Sequence, residues 1–225
     1  MTNRASIIAV FGLAIIVLGG VPAFSQGKPI VPDLTQIGAG KGWKVAGRKA
    51  SVVEAEGRKG IRLDEGPGVG IAWLEDYEFT EGIIDVDLKG RNVPQASFIG
   101  VAFRVVDRET HDAVYFRPFN FKSPNELNRS HGVQYVSQPV YTWQKLRAEK
   151  PGVYENQVNP VPDPEGWFHA RIVIAGSRIQ VFVNETPSPC LSVETLSERK
   201  SGRVGLWVGN GSDGAFANLR ITPSR

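Results

Sequence analysis

Between residues 167 and 184 apolar and polar positions alternate with period two, pause at Gly176-Ser177, and alternate again. A Gly-Ser pair between two such runs is a two-residue hairpin turn. The turn sets the register: Ile174 faces Ile179, Ile172 faces Val181 and Ala170 faces Val183. One face of the hairpin is therefore apolar throughout. The other carries Arg171, Arg178 and Gln180, with Val173 and Phe182 among them. A ribbon with one apolar face needs a second layer to cover it. This points to an antiparallel sandwich rather than a parallel α/β sheet.

Similar patterning predicts short strands at 50–56, 60–64, 69–74, 77–80 and 82–89. Longer strands are predicted at 97–106, 113–121 and 132–137, and a closing pair at 203–209 and 215–222. About eleven to thirteen strands with turn chemistry between them make an all-β, antiparallel two-sheet jelly-roll sandwich. Residues 28–42 read as loop. Helical signals are few. Ser123-Pro124-Asn125-Glu126 has the form of a capping box and predicts one or two turns ending near Arg129. Residues 142–149 predict another short helix, stopped by Pro151. The stretch 139–166 holds Tyr141, Trp143, Tyr154 and five prolines. A loop this long in a compact domain is usually functional, and its aromatics favour packing against the sandwich.

The first 25 residues read as a secretory signal peptide. Arg4 is a short basic region, an uncharged apolar run follows, and Ala23 and Ser25 are the small residues of a cleavage site. The run from Arg4 to Lys28 is also long enough to span a membrane, but Gly19, Gly20 and Pro22 break its second half. The expectation is cleavage after Ser25 and a secreted or periplasmic chain with no stable membrane insertion. Residues 26–225 then form one jelly-roll domain of about 200 residues.

Charge narrows the partners. The chain has 26 Lys and Arg against 23 Asp and Glu. Without Arg4 the balance is 25 against 23, close to neutral, which argues against nucleic acid. The single cysteine, Cys190, has no internal partner and reads as a small buried residue.

Five segments occur in a characteristic order: GIIDVDLKG (82–90), FIGVAFRVVD (98–107), AVYFRPFNF (113–121), GWFHARIVIAGSRIQVFVN (166–184) and GRVGLWVGNGSDGAFANLRI (202–221). Together they resemble the concanavalin A-like (laminin-G-like) jelly-roll domains, and within them the secreted bacterial 3-keto-disaccharide hydrolase-like family. The resemblance implies two curved sheets with a ligand on the concave one. These motifs are largely structural. The chain also departs from the family: the strand Tyr115-Phe116-Arg117 carries no acid, and the E-x-D-x-x-E and E-x-D-x-E signatures of related glucanases are absent. No opposed carboxylate pair of the kind a conventional glycosidase needs can be nominated.

Candidate chemistry gathers between 97 and 137. Gly100, Ala102 and Arg104 share a strand face, as do Tyr115, Arg117 and Phe119 on the next. If these strands pair, two arginines and an aromatic converge on an open surface, which suits sugar hydroxyls and ring faces. The plain alternative pairs the arginines with Asp107, Asp112 or Glu109 at the sheet edge. Gln134 and His131 extend the surface, or Gln134 only ties down the long loop. Trp143, with Tyr141 and Tyr154, is either a stacking platform for sugar or a small core of its own loop. The ligand-binding candidates are thus Arg104, Tyr115, Arg117, Gln134 and Trp143.

Other groups carry simpler readings. His111, beside Asp112, is a proton carrier or a solvated loop histidine. The three histidines have no metal-ligand spacing, so no metal is expected. Asp213 sits in a tight turn of a kind that sometimes holds structural calcium, but its spacing matches no calcium-loop motif. Asp85 and Asp87 could pass for a catalytic pair, yet read as the solvated convex face of a strand. His169 covers the sheet.

The leading expectation is a module that binds carbohydrate or a glycan-like ligand, with no cofactor. The alternative implied by the resemblance is an enzyme on 3-keto-glycosides. The ketone acidifies the neighbouring C–H, so cleavage by elimination needs one base, His111 or Tyr115, and an oxyanion stabiliser, Arg117. A third reading is a surface or accessory protein with no small ligand.

Overall fold

The computed structural model describes residues 26–225, so the leader expected at 1–25 lies outside the described residues. Fourteen strands follow in chain order. The first seven are β1 (Trp43–Ala46), β2 (Ala50–Ala55), β3 (Arg58–Leu63), β4 (Gly70–Leu74), β5 (Gly82–Lys89), β6 (Ile99–Val105) and β7 (Asp112–Phe116). The rest are β8 (Val133–Ser137), β9 (Glu155–Asn156), β10 (Phe168–Ala175), β11 (Arg178–Val183), β12 (Leu191–Glu194), β13 (Arg203–Val208) and β14 (Gly214–Pro223). Three short helices interrupt them: α1 (Pro118–Phe121), α2 (Glu126–Arg129) and α3 (Trp143–Glu149).

The strands form two seven-stranded antiparallel sheets. The first is ordered β1-β4-β13-β6-β7-β8-β9 and the second β12-β11-β10-β5-β14-β3-β2. The expected hairpin is β10–β11, with Ala170, Ile172 and Ile174 opposite Val183, Val181 and Ile179. All six of these side chains are fully buried between the sheets. Phe168 of the second sheet packs edge-on against Phe116 of the first at 5.1 Å and against Phe121 of α1 at 5.4 Å. Burial of such rings supplies most of the cohesion, roughly 1.5–3 kcal/mol for each large apolar side chain.

Some elements differ from the sequence reading. β1, β9 and β12 are too short to show a period and were not expected. Residues 77–80 make only a single bridge, Phe79 to Gly202. The strand expected over 113–121 stops at Phe116, because Pro118 cannot donate to a ladder and instead starts α1. Arg117 therefore caps a helix and Phe119 leaves the strand face. α2 is capped by Asn125, whose side chain accepts from Leu127 N, and not by Ser123. α3 forms as expected, with the Thr142 side chain accepting from Lys145 N.

The outward face of the second sheet also needs correction. Asp85 and Asp87 do lie there, but they are not solvated. His169 contacts both carboxylates, at 3.2 and 2.9 Å, while Arg171 pairs with Asp85 and Arg58 with Asp87. Asn218 also donates to Asp87, at 2.7 Å. Burial pushes both carboxyls up, but the hydrogen bonds, led by those of His169, prevail and hold them below the usual range. Cys190 is buried, as expected, and burial pushes its thiol up to about 12.

Candidate functional site

The outward face of the first sheet carries one row of side chains across five neighbouring strands. Pairing places Trp207 beside Gly100, Gly100 beside Tyr115, Tyr115 beside Gln134, and Gln134 beside Glu155. Gly100 is needed in this row. A Cβ there would lie 2.1 Å from the Val114 carbonyl and 2.6 Å from Tyr115 Cα. Its missing side chain lets the Tyr115 and Trp207 rings meet across it, 4.9 Å apart.

Arg117 closes the row at the end of β7. Its Nη2 donates to Tyr115 Oη at 2.6 Å and to Gln134 Oε1 at 2.5 Å, and its Nη1 to the His131 carbonyl at 2.8 Å. Tyr115 in turn donates to Gln134 Oε1 at 2.8 Å. Glu155 lies beyond. Arg147 of α3 grips it with two bonds, of 3.1 and 2.7 Å, and His131 Nδ1 lies 2.8 Å from Glu155 Oε2, off the line of a well-aligned hydrogen bond. Arg117 Nη1 reaches the same oxygen at 3.9 Å. Tyr115, Arg117 and Gln134 thus come together as the sequence suggested.

Electrostatics sort these groups by task. Burial pushes the Tyr115 phenol up to about 12, so it is an unsuitable base near neutral pH. Burial also lowers the His131 imidazole from 6.5, against the opposing pull of Glu155. His131 is therefore neutral near pH 7. Burial likewise pushes the Arg117 guanidinium down from its ordinary value, although it stays charged at any physiological pH.

Two expected site residues lie elsewhere. Arg104 is not on the open face. The β6–β13 ladder slips between Arg203 and Gly205, so Phe103 and Arg104 together oppose Val204. In this bulge Arg104 adopts φ +50° and turns in between the sheets. There, 1 % exposed, it donates to Asp112 at 3.2 Å and Thr195 at 2.6 Å. Asp112 also receives Arg199 at 2.5 Å and Ser137 at 2.7 Å. This is the sheet-edge ion pair of the plain reading. His111 is neither solvated nor a proton carrier. It is 1 % exposed, and its Nε2 accepts from the Trp207 indole at 3.1 Å. Burial, and then Arg199, hold its pKa at about 4.

Above the row lies a cavity of about 900 Å³, lined by Phe98, Arg117, His131, Trp143 and Arg147 among others. A second hollow of about 260 Å³ shares Phe98, Trp143, Gln144 and Asn210 with it and extends over Tyr115 and Trp207. Trp143, 41 % exposed at the start of α3, stands over both. Arg147 lies over its ring at 5.1 Å. Of the three loop aromatics only Trp143 takes the platform position. Tyr154 is buried beside Tyr135, 6.0 Å between rings, and Tyr141 lies under Lys145.

Sequence reasoning missed Glu155, Arg147, Phe98 and Asn210. Glu155 sits on a strand of two residues inside the loop, where no period exists to read. A lone acid following Tyr154 was the one available signal. Arg48 was missed as well. Its guanidinium donates to the carbonyls of Gly47, Pro67, Gly68, Gly209 and Ser212, tying together the two loops that border the smaller hollow.

Asp213 is held by Arg62 and by Arg91, the latter at 2.6 Å, so its carboxylate is already engaged. Among the described residues no three His, Cys, Asp or Glu side chains gather in a way that could hold a metal. No helix among them is long and apolar enough to cross a membrane.

Solved structures of known fold are similar to the chain. A carbohydrate-binding module, CBM66 from Bacillus subtilis, superposes with a TM-score of 0.56 at 11 % identity, covering 80 % of this chain and 95 % of that one. A Bacillus subtilis protein of unknown function with a galectin-like fold gives 0.58 at 10 % identity, covering 90 % and 100 %. The exoplasmic/lumenal domain of VIP36, bound to Ca2+ and Man3GlcNAc, gives 0.52 at 10 % identity, covering 82 % and 84 %. These likenesses establish the jelly-roll sandwich. No match was found among curated proteins. Residues 38–222, nearly all of the described domain, match the model of the 3-keto-alpha-glucoside-1,2-lyase-like domain, and the chain belongs to that family.

Proposed function

We propose that this domain binds a glycan in the groove on the outward face of its first sheet. The observation that carries the reading is the exposed Trp143 ring above a polar cavity of about 900 Å³ whose wall includes Arg117, His131 and Arg147. A flat apolar face beside convergent donors is what a sugar ring, apolar on one side and hydroxylated at its rim, requires. The similarity to a carbohydrate-binding module and to a sugar-bound lumenal domain supports the same reading. Trp143→Ala should weaken the best ligand found on a glycan array by about tenfold or more. Unchanged affinity would sink the proposed groove.

A specific observation favours a second reading, elimination from a 3-keto-glycoside. His131 lines the cavity, and its Nδ1 faces Glu155, which leaves Nε2 as the free nitrogen. A neutral imidazole held beside a carboxylate is a competent base. It would take the proton from the ring carbon between the ketone and the glycosidic carbon. The C–H electron pair becomes an enolate on the ketone oxygen, which Arg117 and Arg147 are charged to stabilise. The enolate then reforms the carbonyl, a C=C bond forms toward the glycosidic carbon, and the aglycone leaves with the electron pair of its C–O bond. The proton held by the imidazolium neutralises the departing oxygen. His131 here replaces His111 and Tyr115 as base. His131→Gln should abolish aglycone release from a 3-keto-glucoside while weakening binding far less; release at the wild-type rate would exclude this role.

We also place the mature domain outside the cytoplasm. The apolar run and the Ala23 and Ser25 site support export, and Gln26, the next residue, already bridges to Ser224 of the fold. N-terminal sequencing of the protein from the source cell envelope should begin at Gln26. An intact Met1 would contradict cleavage.

A further inference from the structure

Charge around the groove is one-sided. Arg117, Lys122 and Arg147 line the larger cavity, and among its described lining residues there is no Asp or Glu. The nearest buried carboxylate, Glu155, lies beneath the wall with 3 % of its side chain exposed. It is shared by Arg147 at 2.7 Å and Arg117 at 3.9 Å. Two guanidinium groups against one carboxylate leave one positive charge uncompensated, and of the two Arg117, with 5 % of its side chain exposed, is largely out of water.

Neighbouring groups do not cancel it. His131 is neutral near pH 7 and brings no negative charge. Lys122 has Asp163 at 3.7 Å, but both side chains are more than half exposed, so this pair contributes little. Apart from the Ser123 hydroxyl, the rest of the polar wall is amide: Asn92, Gln95, Asn120, Asn128, Gln144 and Asn210. Amides both donate and accept but carry no charge. A wall built for neutral hydroxyls alone has no need to desolvate a guanidinium. Arg117 is desolvated without a carboxylate of its own in hydrogen-bond range.

We propose that the groove selects an anionic glycan, one whose carboxylate or sulfate is bound against Arg117, Lys122 and Arg147. The two guanidinium groups, already bonded to Glu155, Tyr115, Gln134 and the His131 carbonyl, attract either oxyanion by their charge, and the exposed Lys122 ammonium supplies free donors. The apolar face of the same ligand would rest on Trp143. The proposal rests on the reading of the groove as a glycan site and specifies the chemical class of that ligand.

The test is a glycan array with matched sets: uronic-acid glycans, their sulfated analogues, and the neutral sugars of the same linkage. The acidic members should bind about tenfold more tightly than the neutral ones at low salt. That advantage should largely disappear in 1 M NaCl, where the screening length falls to about 3 Å. The uronate and sulfate arms identify which oxyanion is preferred. Lys122→Gln, at an exposed position, should weaken the acidic ligand by about threefold more than it weakens the neutral sugars. Equal binding of acidic and neutral members, in wild type and variant, would overturn the charge selection and leave glycan binding standing. Absence of binding to every member would overturn the glycan reading itself.

Discussion

The three histidines show how far environment, rather than residue type, decides chemistry. His111 lies buried against Trp207, 96 residues away in the chain, and its pKa is about 4. His169 sits among Asp85, Asp87 and Arg171, and hydrogen bonds to the two carboxylates raise it to about 9. His131 is lowered from 6.5 by burial. An NMR titration of the imidazole protons should place the His169 midpoint above those of His111 and His131. A His169 midpoint below that of His131 would refute the Asp85–Asp87 cluster. The raised pKa of His169 has a stability consequence. Its contribution is fully present below the unfolded value of about 6.5 and is lost as pH rises through about 9. His169→Gln should therefore lower Tm at pH 6 and leave it little changed at pH 10. The sequence placed His169 correctly on the outer sheet face but could not show its partners, because Asp87 is 82 residues away. It misplaced His111 for the same reason.

At the scale of elements, what could be read was what repeats. The β10–β11 hairpin was legible to the register because a two-residue turn and strict alternation fix it. β9 and β12 were not, since two and four residues carry no period. The bulge that turns Arg104 inward was also invisible: alternation places it on the open face, and only the extra residue opposite β13 reverses that. Loops held by side chains are the third illegible class. Arg48 fixes the segments around Gly68 and Gly209 through four backbone carbonyls, those of Pro67, Gly68, Gly209 and Ser212, with no carboxylate partner in hydrogen-bond range. Arg48→Ala leaves those carbonyls to water and should cost about 1–3 kcal/mol. Hydrogen exchange should quicken at 66–70 and 209–212 while β10 and β11 stay protected. Uniform exchange across the domain would show that Arg48 does not act locally.

For the whole molecule, alternation along the chain sufficed to specify a two-sheet sandwich, because a sheet with one apolar face has few ways to be covered. The site was half legible. Tyr115, Arg117 and Gln134 lie on adjacent strands and could be brought together on paper. Glu155 and Arg147 arrive from the loop between β8 and β10, whose path no local rule gives. Yet Arg147 adds to the charge of the groove, and Glu155 lies against both Arg147 and His131. The outward face of the first sheet is thus an aromatic and cationic surface, whereas that of the second is closed by its own ion pairs. Binding should respect this division. The most direct measurement is an NMR titration of the five indole N–H signals with the best glycan ligand. Trp143, over the groove, and Trp207, beneath it, should shift together, while Trp167, under Arg58, stays still. A ligand that moves Trp167 and leaves Trp143 and Trp207 in place would contradict the account.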